Sequence, residues 1–138
     1  MYLVDTNVIS EVRKVNKANP GVVDFFKKTE REDARIYLSV ITIGELRRGV
    51  EKIRHRGDIK QANQLEKWLN NIIVNFSNNI LEFSETEANV WGRLRVPHHE
   101  NAIDKQIAAT ALTYGLTLVT RNTNDFTQTG VKLLNPFT

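Results

Sequence analysis

Residues 2–7 read Tyr2-Leu3-Val4-Asp5-Thr6-Asn7, three apolar side chains followed by an acid and two polar residues. So short an apolar run predicts a buried strand that ends where the acid begins a polar segment. A second apolar run of this kind, residues 116–120, occurs late in the chain and is followed by Asp125. Between the two runs, short apolar segments alternate with longer segments of helical periodicity. This alternation predicts an α/β fold of three layers, with a mainly parallel central sheet flanked by helices.

The periodicity and the turn residues give approximate limits for each element. Strands are predicted at 2–4, 36–40, 80–83, 116–120 and 131–134, and helices at about 6–16, 22–28, 43–57, 58–75, 85–93 and 102–114. The first helix should break at Asn19-Pro20-Gly21, and Gly115 should cap the last helix. Ser84 and Glu87 have the spacing of a capping box, in which each side chain bonds a backbone N–H of the other residue.

The composition limits the class of protein. With 138 residues, 41% of them hydrophobic, and neither repeats nor linkers, the chain is predicted to form a single domain over residues 1–138. The absence of cysteine excludes disulfides and thiolate zinc sites. No basic leader and no apolar run of about 18 residues is present, which predicts a soluble cytoplasmic protein without membrane contact. A net charge of +3 is compatible with a polyanionic partner.

Four acids lie where an acid is unfavourable, because each one ends or interrupts an apolar segment. They are Asp5, Glu45, Asp104 and Asp125. In a parallel sheet, functional sites form at the carboxyl ends of the strands, and all four acids lie just after a predicted strand or in an early turn of a predicted helix. Carboxylates that meet at such an edge repel one another and are relieved by a hard divalent cation. The pattern therefore predicts a Mg²⁺ or Mn²⁺ site.

Each acid also has a simpler structural interpretation. Asp5 can cap the helix that follows it, Glu45 can point to solvent, and Asp125 can be a turn residue. Asp104 shares a helix face with Ala108 and Ala111, and it also lies in the first turn, where the helix dipole favours an anion. The metal site is preferred because the four acids occur together at corresponding points of the predicted sheet.

Four segments carry a resemblance to a known family, and they are spread over nearly the whole chain. They are residues 3–11, residues 39–49, residues 104–111 and residues 118–126, and the segment 131–137 is similar as well. In these segments the chain resembles PIN-domain ribonucleases of the VapC type, including the FitB-like plasmid-stability branch, which are the toxins of toxin–antitoxin pairs.

The resemblance implies a metal-dependent endoribonuclease whose Mg²⁺ or Mn²⁺ is held by Asp5, Glu45, Asp104 and Asp125. Thr6 and Thr120 become polar neighbours that hold these acids or a water. The family leaves the fourth position open between Asn122 and Asp125. Hydrolysis by such a site releases a 3′-hydroxyl and a 5′-phosphate. The resemblance also implies a homodimer and a small antitoxin that occludes the acidic pocket, with DNA bound only through the antitoxin.

Two basic residues adjoin site acids in the sequence and are the candidates for RNA contacts, namely Arg47 and Arg121. The other basic residues are interpreted as a solvated charged surface. One rival function is a non-catalytic partner that regulates transcription together with a DNA-binding antitoxin. A second rival, a signalling receiver domain, requires an acceptor Asp and a Lys at the ends of two strands, and the chain meets neither requirement.

Overall fold

The computed structural model describes residues 1–138 and contains one five-stranded sheet with six helices around it. The strands are β1 (Tyr2–Val4), β2 (Ile36–Ser39), β3 (Ile80–Leu81), β4 (Thr117–Val119) and β5 (Leu133–Leu134). The helices are α1 (Thr6–Val12), α2 (Pro20–Arg31), α3 (Val40–His55), α4 (Ile59–Asn75), α5 (Glu85–Leu94) and α6 (Ala102–Tyr114). Two short 3-10 turns cover Val15–Lys17 and Thr123–Phe126.

Every pairing in the sheet is parallel, and the strand order is β3-β2-β1-β4-β5. The central strand β1 pairs with β2 through Tyr2 and Ile36 and with β4 through Leu3 and Leu118. The chain moves outward on one side of β1 first and then returns to build the other side. The order therefore reverses between β1 and β4, which is the point where α/β sheets bind ligands.

Two buried clusters lie on opposite faces of the sheet because neighbouring strand residues point in opposite directions. Val4 and Val119 belong to a cluster with apolar residues of α1, α2, α3 and α4. Leu3 and Leu118 belong to a second cluster with residues of α6 and with Phe126. The predicted three-layer α/β fold with a parallel central sheet is confirmed.

Several predicted boundaries are wrong at the level of one helical turn. The first helix ends at Val12 and not near Asn16, because the chain leaves the helix for a 3-10 turn that begins at Val15, a residue with a positive φ. The second helix begins at Pro20, with Asn19 as its N-cap, so the predicted break is itself the start of α2. Gly115 caps α6 in the left-handed conformation, as predicted.

The predicted capping box at the start of α5 is also wrong in its bonding. Ser84 is the N-cap residue, but its side chain makes no hydrogen bond to the helix backbone. Its hydroxyl donates instead to the Glu87 carboxylate at 2.7 Å, and Glu87 is buried. The two residues have the spacing of a capping box, but their side chains bond each other and the serine hydroxyl leaves the helix backbone uncapped.

None of the six helices combines the length and the hydrophobicity that a membrane-spanning helix requires.

Candidate metal centre

The carboxyl edge of the sheet places the four predicted acids around the point where the strand order reverses. Asp5 directly follows β1, and Asp125 lies in the 3-10 turn after β4. Glu45 is in the second turn of α3, which follows β2. Asp104 is in the first turn of α6, whose amino end lies at this edge because the helix runs back to the start of β4.

Asp5 is the anchored member of the set, with only 4% of its surface exposed. Its Oδ1 accepts a hydrogen bond from the Thr6 backbone N at 2.8 Å, so it caps α1 as well. Its Oδ2 accepts from the Thr120 hydroxyl at 2.8 Å and from Asn7 Nδ2 at 3.3 Å. Burial raises the pKa of Asp5, and these three hydrogen bonds oppose the rise.

Thr120 is fully buried and connects β4 to β1 through this network. While its hydroxyl donates to Asp5, the oxygen accepts from the Asn122 backbone N at 3.1 Å and from Asn7 Nδ2 at 3.3 Å. Thr6 is less tightly held, since its hydroxyl contacts that of Thr42 at 3.4 Å. The two threonines that were predicted as polar neighbours thus lie beside Asp5, and Thr120 contacts it directly.

Asp104 is the least satisfied acid of the set. Its half-buried side chain has no hydrogen-bond donor or cation beside it. Desolvation raises its pKa to about 6, and the negative charges of Asp5, Asp125 and Glu45 add to the rise. The same field links the other acids, because Asp125 also raises the pKa of Asp5. All four carboxylates therefore share one electrostatic neighbourhood.

The structure does not bring three of these carboxylates to within the distance of a common ion. The donor set itself suits a hard divalent cation, since all four groups are carboxylates and no cysteine or histidine is among them. Asp5 is fixed by its hydrogen bonds, whereas Glu45 and Asp104 are half-buried and Asp125 is exposed, and none of these three is held by a partner. Side-chain rotation of the three free acids toward Asp5 is what a shared ion requires.

The two candidates for the fourth position differ in what they contact. Asn122 is exposed and donates its backbone N–H to the Thr120 hydroxyl, while its side-chain amide makes no hydrogen bond. The charge of Asp125 acts on both Asp5 and Asp104. Asp125 is thus linked to the other acids by its charge, whereas Asn122 is linked to the site only through the hydrogen bond from its backbone N–H to Thr120.

The two predicted RNA-binding arginines lie in very different surroundings. Arg47 Nη1 forms an ion pair with Glu66 of α4 at 2.6 Å, and Arg54 shares the same glutamate at 2.9 Å. Arg121 forms no ion pair, and its guanidinium lies over the ring of Phe137, 4.8 Å from the ring centroid. Of the two, only Arg121 has a guanidinium without a carboxylate partner.

Asn7 was missed in the sequence, although it belongs to the site. Its amide nitrogen contacts both Asp5 and Thr120, and its amide oxygen accepts from the Arg121 backbone N at 3.1 Å. The available signal was its place in Asp5-Thr6-Asn7, directly after the first acid.

A groove beside the acids runs between α1, α3 and α4. It has a volume of about 220 Å³, and both Thr6 and Glu45 lie on its wall. Arg13 and Trp68 line it farther from the acids.

Comparison with known proteins identifies the family. The family model described as PIN domain matches residues 2–132. Toxin FitB from Neisseria gonorrhoeae is 37% identical over 99% of this chain and 99% of its own. VapC ribonuclease Y4jK from Sinorhizobium fredii is 30% identical over 99% of this chain and 98% of its own.

Solved structures give the same result at the level of the fold. The crystal structure of FitAcB from Neisseria gonorrhoeae contains a chain that is 37% identical, with a TM-score of 0.85 over 99% of this chain and 98% of that one. A structure of FitAB bound to the IR36 DNA fragment matches with 35% identity and a TM-score of 0.83, over 99% of this chain and 95% of that one. A matching family model and relatives above 30% identity, all spanning nearly the whole chain, lead to one conclusion: the chain belongs to the PIN-domain family, in the group that includes the FitB and VapC proteins.

Proposed function

We propose that this protein is a Mg²⁺- or Mn²⁺-dependent endoribonuclease and the toxin of a cytoplasmic toxin–antitoxin pair. The observation that carries the proposal is the carboxylate of Asp104, which is half-buried, unpaired and in the field of three other acids. A carboxylate with a purely structural role is paired with a cation or a hydrogen-bond donor, or is exposed to solvent. A metal-binding carboxylate in the metal-free protein is neither paired nor fully exposed. The name of the related FitB toxin supports the toxin role, and the name of VapC ribonuclease Y4jK supports the ribonuclease activity.

The ion is held by Asp5, Glu45, Asp104 and Asp125, with Asn122 as the alternative in the fourth position. When bound, a divalent ion lowers the pKa of a coordinated water and stabilises negative charge on the phosphoryl oxygens. Asp5 provides a fixed ligand because three hydrogen bonds hold its carboxylate. Thr120 and Asn7 orient it, and Thr6 lies on the side of the site that faces the groove.

RNA reaches the acids across a protein surface of net positive charge. Arg121 is the better placed of the two predicted contacts because its guanidinium is free of ion pairs. Arg47 contributes to RNA binding only if its ion pair with Glu66 opens. We therefore expect Arg121→Ala to weaken RNA binding more than Arg47→Ala does.

The partners follow from the family. A small antitoxin occludes the acidic pocket, and a basic side chain placed among the carboxylates would replace the charge of the metal. The toxin forms a homodimer, and DNA is bound through the antitoxin and not by this chain. The structure of FitAB bound to DNA is the relative that supports this arrangement.

The test is RNA cleavage by the purified, antitoxin-free chain. Total tRNA and a short single-stranded RNA are incubated with Mg²⁺, with Mn²⁺ or with EDTA. Wild-type protein is compared with Asp5→Asn and Asp104→Asn, which keep the side-chain shape. Asp24→Asn, an exposed acid on α2, is the matched control.

We expect metal-dependent cleavage by wild-type protein and by Asp24→Asn, and a loss of at least about 100-fold in the two site variants. Fragments should carry 5′-phosphates. Cleavage that survives in EDTA, or in Asp104→Asn at the wild-type rate, would refute the mechanism. Folded wild-type protein that binds the antitoxin and cuts neither RNA would support the regulatory, non-catalytic function instead.

A further inference from the structure

The side chain of Asn19 holds residues 135–138 against the amino end of α2 through hydrogen bonds. Asn19 Oδ1 accepts hydrogen bonds from the Thr138 backbone N at 3.1 Å and from the Thr138 hydroxyl at 3.3 Å. Asn19 Nδ2 donates to the Thr138 carbonyl oxygen at 3.2 Å. The same Oδ1 accepts from the Gly21 backbone N, so one amide both caps α2 and holds this segment.

Gly21 provides the space for the contact. A Cβ atom at this position would lie 2.1 Å from the carbonyl oxygen of Pro136, which is far inside van der Waals contact. The segment therefore lies directly on the first turn of α2. Its course is set by this close backbone contact together with the hydrogen bonds of the Asn19 side chain.

Phe137 is the side chain that this arrangement positions. Its ring is half-buried and packs against the core cluster that contains Val4 and Val8. The guanidinium of Arg121 lies over the ring. Stacking on an aromatic face attracts the cation while leaving the in-plane N–H donors of the guanidinium free for other partners.

The Glu11 carboxylate, on which the charge of Arg121 acts, does not compete for those donors. Glu11 of α1 is close enough for the charge of Arg121 to lower its pKa, but its oxygens are already engaged. Lys14 forms an ion pair with it at 2.8 Å, and the Asn19 backbone N donates to it at 2.9 Å. The guanidinium of Arg121 thus lies over the Phe137 ring and has no carboxylate partner.

Arg121 lies next to the candidate metal centre. Its backbone N donates to Asn7, and it directly follows Thr120, which holds Asp5. Its charge also acts on Glu11, which lies four residues, or about 6 Å, beyond Asn7 along α1. The backbone of Arg121 is therefore bonded to the site, whereas its guanidinium lies over Phe137 and near Glu11.

We propose that Arg121 binds a phosphate that neighbours the one being cleaved, and that Phe137 is the positioning residue that holds Arg121 ready for it. This inference rests on the proposed ribonuclease function. It assigns a role in substrate binding to residues 135–138, which touch none of the acids. Asn19 and Gly21 support this role by holding the segment in place.

The test uses binding and kinetics on the full chain. A fluorescein-labelled 12-nucleotide single-stranded RNA is titrated in EDTA at several salt concentrations, and KM and kcat are measured separately with Mg²⁺. The variants are Arg121→Ala, Phe137→Ala, the double variant and Phe137→Tyr, which retains the ring. Phe76→Ala is the control, because Phe76 packs on the same core cluster but lies near the start of β2, at the opposite edge of the sheet.

We expect Arg121→Ala to weaken binding about fivefold and to lower the salt slope by about 0.7, the loss of one phosphate contact. Phe137→Ala should reproduce most of this loss, and the double variant should be no worse than Arg121→Ala. KM should rise while kcat stays within about twofold, since the contact is made equally in the ground and transition states. Phe137→Tyr should restore binding.

A purely structural role of Phe137 predicts a different pattern. Phe137→Ala would then lose stability as Phe76→Ala does and keep the wild-type salt slope, which overturns the proposal, as does an unchanged affinity in Arg121→Ala. In both cases metal-dependent cleavage by wild-type protein would leave the proposed function intact. Wild-type protein that neither binds nor cuts RNA would refute the proposed function, and this inference with it.

Discussion

Thr120 controls the anchored acid of the site more directly than any other side chain. It is buried beneath Asp5 and exchanges hydrogen bonds with Asp5, Asn7 and Asn122. Its hydroxyl stabilises the charged form of Asp5, so its removal should raise the pKa of Asp5 further and weaken metal binding.

We expect Thr120→Val to lower the free energy of unfolding by about 1–3 kcal/mol. Valine has nearly the shape of threonine but no hydroxyl, so the buried hydrogen-bond partners of Thr120 are left unsatisfied. The Mg²⁺ concentration needed for half-maximal cleavage should rise as well. Urea denaturation and a Mg²⁺ titration of activity measure the two effects. Thr127→Val, at an exposed position after the 3-10 turn, is the control. An unchanged Mg²⁺ requirement in folded Thr120→Val would contradict the assigned role.

Asp104 makes the metal-free protein sensitive to pH. Its pKa is about 6 in the folded state and about 3.8 when unperturbed, so between these values the folded state retains a proton that the unfolded chain has lost. The contribution of Asp104 to stability therefore falls as pH rises from about 4 to 6. The lowered pKa values of Glu11, Glu66 and Glu100 give the opposite slope, because their contribution is lost as pH falls.

Comparison with Asp104→Asn isolates the contribution of this one group. In EDTA, the variant should gain stability relative to wild-type protein as pH rises from 4.5 to 7, and Asp24→Asn should not. Urea midpoints at each pH measure the difference. If the difference in urea midpoint between wild-type protein and Asp104→Asn stayed constant across this pH range, the pKa of Asp104 would not be raised in the folded state.

At the scale of single residues, the sequence was most informative about the acids. Asp5 and Asp104 were recognisable because a charge beside apolar residues of a predicted element is unusual. Asn7 and the pairing of Arg47 with Glu66 were not recognisable, because they depend on side-chain directions and on the contact between α3 and α4. The role of Phe137 was hidden for the same reason, since Arg121 precedes it by 16 residues and only the fold brings the two together.

At the scale of elements, local signals predicted where helices and strands exist but not where they end. The periodicity of Ile43, Leu46 and Val50 located α3, but α3 begins at Val40, directly after its cap Ser39. The early end of α1 goes with a 3-10 turn that begins at Val15, a residue with a positive φ that periodicity does not indicate. Strand ends shifted in the same way, because pairing partners and not propensity limit β3 and β5 to two residues each.

The first turn of α2 gives a prediction about two glycines. Gly21→Ala should destabilise the protein by about 1–3 kcal/mol, because the added methyl meets the backbone of Pro136. Gly92→Ala is the matched control in the interior of α5, where a Cβ meets nothing, and it should stabilise by up to about 1 kcal/mol. Urea denaturation measures both. If the two variants shift stability in the same direction, the close contact between α2 and residues 135–138 is not present in solution.

At the scale of the whole molecule, repulsion among the four acids lowers the stability of the folded state in the absence of metal. Four like charges share one edge of the sheet while the chain as a whole carries a net charge of +3. A cation that binds only the folded state should therefore raise stability by an amount that grows with the logarithm of its concentration once that concentration exceeds the dissociation constant.

We expect Mg²⁺ to raise the melting temperature of wild-type protein, with about 2.7 kcal/mol of stabilisation at 100 times the dissociation constant. Asp104→Asn should lose most of this gain. Thermal denaturation with MgCl2, compared with KCl at equal ionic strength, separates specific binding from screening. Equal shifts in wild-type protein and Asp104→Asn would place the ion elsewhere.

The pairing of β1 with β4 joins residues that are far apart in the chain, such as Asp5 and Thr120, which are separated by 115 positions. During synthesis, the first acid leaves the ribosome long before the hydroxyl that orients it has been made. At about 5–20 residues per second, roughly 6 to 23 seconds pass between the synthesis of the two. A nascent chain that lacks β4 therefore lacks Thr120, and we expect the acidic site to assemble only after β4 has been made.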